Sequence, residues 1–188
     1  MDVKTKQLLT VNRIDVIFKI LHLKLKELGA PKTSNQIYNE HINIITNGLY
    51  AEEGSIKNSL LDYVNEFQKI MNSIKLKGFD KTISRIPLAE DGTISNGSHR
   101  LAISVYLNIP NVEVEKTDDC RHVYDYSFFV TRGISLNIME LIILEYLNLT
   151  ENNYLAIIWP SADKTVNYLN EFNDIIYEKK IILNPLGA

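Results

Sequence analysis

The chain has 188 residues, with 20 lysines and arginines against 23 acidic residues, for a net charge of −3. Hydrophobic residues make up 45% and charged residues 23%, as in an ordinary globular domain with its own core, and the slight acidity argues against a dedicated nucleic-acid binder. The one cysteine, Cys120, excludes an intramolecular disulfide and a multi-cysteine metal centre, while the lack of a long apolar run or an apolar leader predicts a cytoplasmic protein without a membrane span.

The beginning of the chain predicts an N-terminal helical extension over residues 1–34. Apolar residues recur at helical spacing over residues 8–28, and Gly29 followed by Pro31 is a stop signal. The following stretch is ambiguous, and Ile42–Ile45 is compatible with a short strand.

The middle of the chain, residues 35–120, predicts the core of the fold. An apolar helical stripe begins after Ser55, a plausible N-cap, and stops at Gly78. The elements expected after it are a strand at 85–88, a hairpin turn at Asp91-Gly92, a return strand at 93–95, a helix over 98–107 and a strand at 112–115.

The remainder, residues 121–188, predicts a C-terminal extension that contains a strand–helix–strand unit. Its expected elements are an aromatic-rich segment at 124–129, a helix over 135–147, a strand at 154–159, a short helix at 163–171 and a strand at 175–183. Whether this unit extends the first sheet or forms a small lobe stays open. The whole chain therefore predicts a single α+β domain with a small mixed sheet flanked by helices.

The strongest chemical signal is the segment Asn96–Ala102, at a predicted strand-to-helix junction. Gly97 lets a ligand approach the backbone, and the first turn of a helix favours an anion. Arg100 adds a guanidinium fork suited to phosphate, while Ser98 and His99 add further donors. The plainer alternative is that the glycine only permits the turn, the serine caps the helix and the arginine lies on the surface.

A longer run of motifs resembles the ParB/sulfiredoxin superfamily. Its members share a helix that ends in a glycine, a hairpin with an Asp-Gly-like turn, a G-x-[HR]-R-x-x-A helix start and an I-P-x-x-V strand. The matching segments here are Ser73–Phe79, Ile86–Leu88, Glu90–Gly92, Ile94–Ala102 and Asn108–Val114.

The resemblance implies that the G-x-H-R turn holds nucleotide phosphates. Members of the superfamily include sulfinic-acid reductases, CTP-hydrolysing partition clamps and nucleotide-dependent kinases of free serine. Sulfiredoxins carry their reactive cysteine where this chain has Ser98, and Cys120 is distant in sequence, so sulfinic reduction is disfavoured. Partition clamps carry a helix-turn-helix and a basic arm that are not evident here. The implied phosphate-binding residues are Gly97, Ser98, His99 and Arg100.

The kinase-like branch remains, and it implies a nucleotide-dependent (ATP-type) phosphotransferase with Mg²⁺ that acts on a small hydroxylated metabolite such as a sugar, polyol or amino acid. Phosphoryl transfer also needs charge neutralisation and a carboxylate that orients the acceptor. Relatives supply a lysine before the hairpin, which makes Lys57 and Ser59 candidates, although Lys57 reads equally as a solvated surface lysine. The expected catalytic residues are Glu40 first and Glu53 second, together with His99.

Other candidates have two interpretations each. His41 is either a metal or phosphate partner or a hydrogen-bonded structural histidine. Asp125 and Tyr126 either bind substrate in a base or sugar pocket or belong to the core. No Cys/His cluster is present, so the only metal expected is Mg²⁺ held by phosphate and carboxylate. A looser resemblance to ParB-like domains of bacterial surface-polysaccharide clusters implies a sugar or polyol acceptor.

Two further functions stay open. One is a non-catalytic module that binds a nucleotide or a phosphosugar. The other is a ParB-like protein associated with nucleic acid, which the acidic composition disfavours. The apolar helices expected at 8–28 and 135–147 are compatible with a homodimer as well as with a monomeric core.

Overall fold

The computed structural model describes residues 1–51, 57–80, 85–119 and 122–150, together with the backbone of 155–158 and 182–185. The chain is α+β, as the sequence predicts. Its strands are β1 (Asp2–Lys4), β2 (Ile86–Leu88), β3 (Asn111–Lys116), β4 (Leu155–Ile158) and β5 (Ile182–Pro185). Its helices are α1 (Asp15–Glu27), α2 (Pro31–Ile45), α3 (Leu60–Lys77), α4 (Ser98–Tyr106), α5 (Tyr126–Thr131) and α6 (Leu136–Leu149), with a 3₁₀ helix at Thr5–Leu8.

A small mixed sheet has the strand order β1–β3–β2. β2 and β3 run parallel, with α4 between them in the chain, whereas β1 pairs antiparallel with β3. The parallel pair needs a crossover connection, which α4 supplies. This places the start of α4 after the carboxyl end of β2, where open α/β sheets bind their ligands.

The N-terminal segment is less helical than the sequence predicts. Residues 2–4 form the edge strand, and Thr5 fixes the following turn by donating its hydroxyl to the Ile109 carbonyl at 2.6 Å. The helix expected over residues 8–28 begins only at Asp15. Helix α1 belongs to the core, because every residue from Asp15 to Leu23 is buried.

The short strand that the sequence leaves open at Ile42–Ile45 does not form, because these residues end helix α2. Pro31 stands at the first helical position, where its missing amide costs nothing, so it starts a helix here as well as following one. The buried residues of α2 include Tyr38, His41 and Ile42, whose spacing is helical.

Helix α3 begins later than expected and ends as expected. Ser59 is its N-cap, with the hydroxyl accepting from the Asp62 amide at 3.3 Å. The cap expected at Ser55 lies outside the described residues. Gly78 follows the helix with φ +73°, which a residue with a side chain rarely adopts.

The hairpin after β2 is a tight turn rather than a pair of strands. The Ala89 amide donates to the Thr93 carbonyl at 2.8 Å, and the expected return strand is reduced to one bridge between Leu88 and Ile94. The chain then leaves the sheet to enter α4.

The C-terminal strands β4 and β5 pair parallel with each other in a two-stranded sheet. The strand expected at 154–159 is therefore confirmed over 155–158, and the end of the last expected strand falls in β5. The short helix expected at 163–171 lies outside the described residues.

Helix α1 packs against α2, α4 and α6. None of the helices within the described residues is both long enough and apolar enough to span a membrane.

Candidate functional site

The turn before α4 has the backbone of a helix start that only glycine adopts easily. Gly97 has φ +83° and is the N-cap residue, and the first amide to bond within the helix is that of Leu101, which donates to the Gly97 carbonyl at 3.0 Å. The amides of the three residues between them have no acceptor within the helix. They point towards the positive end of its dipole, which favours an anion.

Arg100 folds back over this turn. Its Nη1 donates to the Arg85 carbonyl at 2.6 Å, and a Cβ built on Gly97 would lie 2.9 Å from its Nη2. The space opened by the absent side chain of Gly97 is therefore used by the guanidinium. Burial lowers the pKa of Arg100, and Glu115 opposes this. An arginine nevertheless stays protonated in proteins, so a cation is held against the helix start.

His99 points inward. Its Nε2 lies 3.2 Å from the Tyr38 hydroxyl, and its ring centroid is 4.8 Å from that of Phe67. Burial lowers the pKa of His99 well below its ordinary value, and the charges of Lys19 and Lys57 lower it further. His99 is therefore neutral at physiological pH, and its ring serves as a hydrogen-bonding group rather than as a cation.

Lys57 and Ser59, expected at the phosphate, have distinct positions. The ammonium of Lys57 lies 4.7 Å from the ring centroid of Tyr63, and its charge lowers the pKa of His99. The Ser59 hydroxyl donates to Asp62 Oδ2 at 2.7 Å as part of the α3 cap. The structure gives Ser59 a capping role.

Of the two expected catalytic carboxylates, only Glu40 falls within the described residues, and no described contact brings it to the turn. Glu40 is half-buried on α2 and accepts from Gln36 Nε2 at 3.0 Å, next to the buried residues Tyr38 and His41 in sequence. Glu53 lies outside the described residues.

Asp125 and Tyr126, expected to bind substrate, start helix α5. The Asp125 carboxylate accepts from the Phe128 amide at 2.8 Å, which is an N-cap. Tyr126 is half-buried and packs against the core. Asp125 is therefore a helix cap, and Tyr126 has the core contacts of the plainer alternative.

Sequence reasoning missed a buried group of charges at the start of α1. Arg13 Nε lies 2.8 Å from Asp15 Oδ1, and Lys19 Nζ lies 3.0 Å from Asp15 Oδ2; all three side chains are at most 3% exposed. Arg13 Nη1 also donates to the Ile94 carbonyl, two residues before the turn that contains Asn96. Burial raises the pKa of Asp15, but Lys19 and Arg13 outweigh it and hold the carboxyl ionised.

Sequence reasoning also did not anticipate that His41 is fully buried. Its ring stacks on Phe18 with a centroid distance of 5.0 Å, and neither ring nitrogen has a hydrogen-bond partner among the described residues. Burial lowers the pKa of His41 well below its ordinary value, and Lys19 is the charge that lowers it most. The sequence interpretation of a hydrogen-bonded structural histidine therefore does not describe it. The sequence signal for its position is the spacing Tyr38-x-x-His41, which places both polar rings on the same face of a helix.

Comparison with family models, with curated proteins and with solved structures gives no match. Within the described ranges, no group of three or more His, Cys, Asp or Glu side chains is arranged to hold a metal ion.

Proposed function

We propose that this chain is a nucleotide-dependent phosphotransferase of the ParB/sulfiredoxin type, with the phosphates bound at the turn Asn96–Arg100. The observation that carries the proposal is the guanidinium of Arg100 held against the start of α4 by the Arg85 carbonyl. It adds a fixed cation to a helix start that already offers three amide donors. The acceptor is a small hydroxylated metabolite, such as a sugar, polyol or amino acid.

The surroundings of the turn fit such a ligand. The charge of Lys57 lowers the pKa of His99, so a second cation besides Arg100 acts on a residue of the first turn of α4. Mg²⁺ would supply charge neutralisation on the phosphates, and it is commonly held by those phosphates and one or two carboxylates. Asp119, which accepts from Thr117 Oγ1 at 2.8 Å beside Ser95, is a described carboxylate that fits this requirement.

The test is thermal unfolding with ATP, ADP, CTP or GTP, each with Mg²⁺, on the wild type and on Arg100→Ala. A ligand at 100 times its Kd adds about 2.7 kcal/mol, which raises the Tm of a chain of this size by about 5–10 °C. We expect this shift for at least one nucleotide and its loss in Arg100→Ala. Arg132→Ala is the matched control, because Arg132 is an exposed arginine that packs on Phe128.

Two results contradict the proposal. One is the absence of a shift with every nucleotide. The other is an equal shift in wild type and Arg100→Ala, which would place the ligand elsewhere.

A second candidate is a non-catalytic module that binds a nucleotide or a phosphosugar. The position of Glu40 favours it, because this carboxylate contacts Gln36 on its own helix. Turnover with Glu40→Gln separates the two: a phosphotransferase that uses Glu40 loses most of its rate with little change in nucleotide affinity. A binding module shows saturable binding and no product in either variant.

A further inference from the structure

A second concave site lies at the opposite end of α4 from the phosphate turn. It is a cavity of about 700 Å³ between the 3₁₀ helix, the loop from α4 to β3 and the last residues of α6. This volume is within the range of about 300–1,000 Å³ that small-molecule sites have in proteins. Helix α4 has nine residues and rises about 1.5 Å per residue, so about 12 Å of helix separates the cavity from the turn.

The walls of the cavity are held by hydrogen bonds between its own segments. Thr5 donates its amide to the Pro110 carbonyl at 3.0 Å and its hydroxyl to the Ile109 carbonyl at 2.6 Å. The end of α4 is closed by the Asn108 amide, which donates to the Val105 carbonyl at 3.0 Å. The cavity is therefore preformed, and a preformed site loses little conformational entropy when a ligand binds.

The floor of the cavity is apolar, whereas amide side chains stand at its rim. Leu9 and Val105 are buried in the floor. Gln7, Asn108 and Asn111 line the cavity and are exposed, and their side-chain amides make no hydrogen bond within the described residues. An amide side chain has both donors and an acceptor, so three of them suit the hydroxyl groups of a sugar or polyol, while the apolar floor suits its C–H groups.

Two lysines give the rim a positive charge. Lys4 and Lys6 line the cavity, and neither ammonium has an ion pair or a hydrogen bond within the parts of the chain that the structure describes. Lys4 is directly opposite Asn111 in the β1–β3 ladder, so the two side chains leave the sheet on the same side. The net charge of the chain is −3, so the two cations are not part of a generally basic surface. They add the ability to bind a negatively charged group.

Asn108 follows the C-cap residue of α4, at a position where helix ends commonly have glycine. Its φ is +55°, in the left-handed region that glycine adopts without steric cost. The helix end uses the backbone amide of Asn108, whereas the side chain lines the cavity. The side chain can therefore be removed without loss of the turn, which makes this position a direct test of the cavity.

We propose that this cavity binds a small sugar or polyol that carries an anionic group, with the two lysines on the anion and the three amide side chains on the hydroxyl groups. The anion is a phosphate ester or a carboxylate, since an ammonium binds either through charge-assisted hydrogen bonds. The inference is independent of the proposed function. Group transfer needs reacting atoms about 3–3.5 Å apart, so a molecule in this cavity is not the acceptor of a phosphoryl group bound at the turn.

The experiment is a calorimetric titration of the full chain with glucose 6-phosphate, glucuronate and glucose. The first two probes carry the two candidate anions on one sugar, and glucose is the neutral reference. Lys6→Gln is compared with Lys69→Gln, because Lys69 is 78% exposed and lies outside the lining of the cavity. Asn108→Gly is compared with Asn47→Gly, because Asn47 follows the C-cap residue of α2 with a φ of +50° and is also outside the lining.

We expect one anionic sugar to bind the wild type about tenfold or more tightly than glucose, and the preferred probe identifies the anion. Lys6→Gln should lose about tenfold in affinity for that probe and Asn108→Gly about fivefold, whereas both control variants keep the wild-type affinity. Arg100→Ala should also keep it, because the phosphate turn is a separate site. Urea unfolding should show the same change in stability for the two glycine variants, since both relieve a left-handed asparagine.

A second readout needs no variant. On wild-type protein, the side-chain amide resonances of Asn108 and Asn111 should shift when the preferred probe is added.

The proposal is overturned if the wild type binds no probe, or if it binds glucose as tightly as both anionic sugars. Wild-type affinity in either Lys6→Gln or Asn108→Gly also overturns it. Loss of binding in Arg100→Ala alone would mean that the probe binds at the phosphate turn, which overturns the cavity site and supports the proposed function.

Discussion

Two features of the structure disfavour any side chain at position 97, namely the backbone conformation of Gly97 and the nearby side chain of Arg100. Its φ of +83° disfavours any other residue, and the space beside its Cα holds the guanidinium. Gly133 has nearly the same φ, +82°, with nothing within 4 Å of a Cβ built on it. Comparing the two glycines therefore separates the effect of the left-handed backbone conformation from the effect of the contact with Arg100.

Gly97→Ala should cost more stability than Gly133→Ala. Both replacements force an alanine into the left-handed region, at a cost of about 1 kcal/mol. Only the first also displaces Arg100, so we expect it alone to abolish the nucleotide-induced Tm shift. Urea unfolding and the thermal-shift experiment measure the two effects, and equal behaviour of both variants would contradict this account of the turn.

The buried histidines make stability depend on pH. Burial lowers the pKa values of His22, His41 and His99, so the unfolded chain binds more protons than the folded chain once the pH drops below the ordinary histidine value of 6.5. Their contribution is therefore fully present above this pH and is lost as the pH falls.

Urea unfolding between neutral pH and about pH 5 should show a decline of up to about 1.4 kcal/mol per pH unit for each buried histidine. His41→Phe should flatten the decline by removing one titrating group. A slope that is the same in wild type and variant would mean that His41 is protonated in the folded protein or exposed to water.

The sequence points to the turn residues but not to the charges beneath them. Gly97 and Arg100 are found because a glycine and a basic residue at a helix start have a local signature. Arg13, Asp15 and Lys19 have none: charged residues at the start of a helix are usually solvated, and only tertiary packing buries these three.

At the scale of elements, the start of α3 depends on one side chain. The Ser59 hydroxyl both accepts from the Asp62 amide and donates to the Asp62 carboxylate, which also lowers the pKa of that carboxyl. This reciprocal pair satisfies a helix donor that would otherwise face water.

Ser59→Ala should lower the unfolding free energy by about 1 kcal/mol, because the cap is lost. Ser59→Thr keeps the hydroxyl and should restore most of it. If the nucleotide-induced Tm shift is unchanged in Ser59→Ala, Ser59 acts only as a helix cap. If the Tm shift is lost in this variant, Ser59 also binds phosphate, as the sequence suggests. Chemical denaturation measures the loss of the cap, and the thermal-shift experiment measures any loss of nucleotide binding.

Helices α3 and α4 and strand β3 can be predicted because their signals are local. Gly78 ends one helix, Gly97 starts another, and the alternation after Pro110 marks the strand. Strand β1 has no comparable signal, since three residues acquire their conformation from a partner at Asn111–Glu113. The isoleucines that end α2 mislead because β-branched residues favour strands only where a sheet is present to receive them.

At the scale of the molecule, Arg13 connects the start of α1 to the segment before α4. It holds Asp15 on one side and the Ile94 carbonyl on the other, across 81 residues of sequence. Its guanidinium also lies 5.4 Å from the Tyr124 ring centroid, which brings in the segment before α5. One buried side chain thus joins three parts of the chain.

Arg13→Met should destabilise the protein by about 3–5 kcal/mol, because it leaves a buried carboxylate with one cation fewer and a carbonyl without its donor. Lys69→Met is the control: Lys69 is 78% exposed and 4.0 Å from Glu66, so its loss should cost well under about 1 kcal/mol. Urea unfolding of the two variants measures both losses of stability. A loss below about 1 kcal/mol for Arg13→Met would mean that water replaces the guanidinium.

The pairing of β1 with β3 affects the order in which parts of the chain can fold during synthesis. Residues 2–4 pair with residues 111–113, so this edge of the sheet closes only after residue 113 has been synthesised. Contacts of such sequence separation form slowly, since a long loop must close first. A ribosome-bound chain therefore carries β1 unpaired while α1, α2 and α3 are already able to pack, and the core residues of α5 and α6, which follow β3 in the chain, join later still.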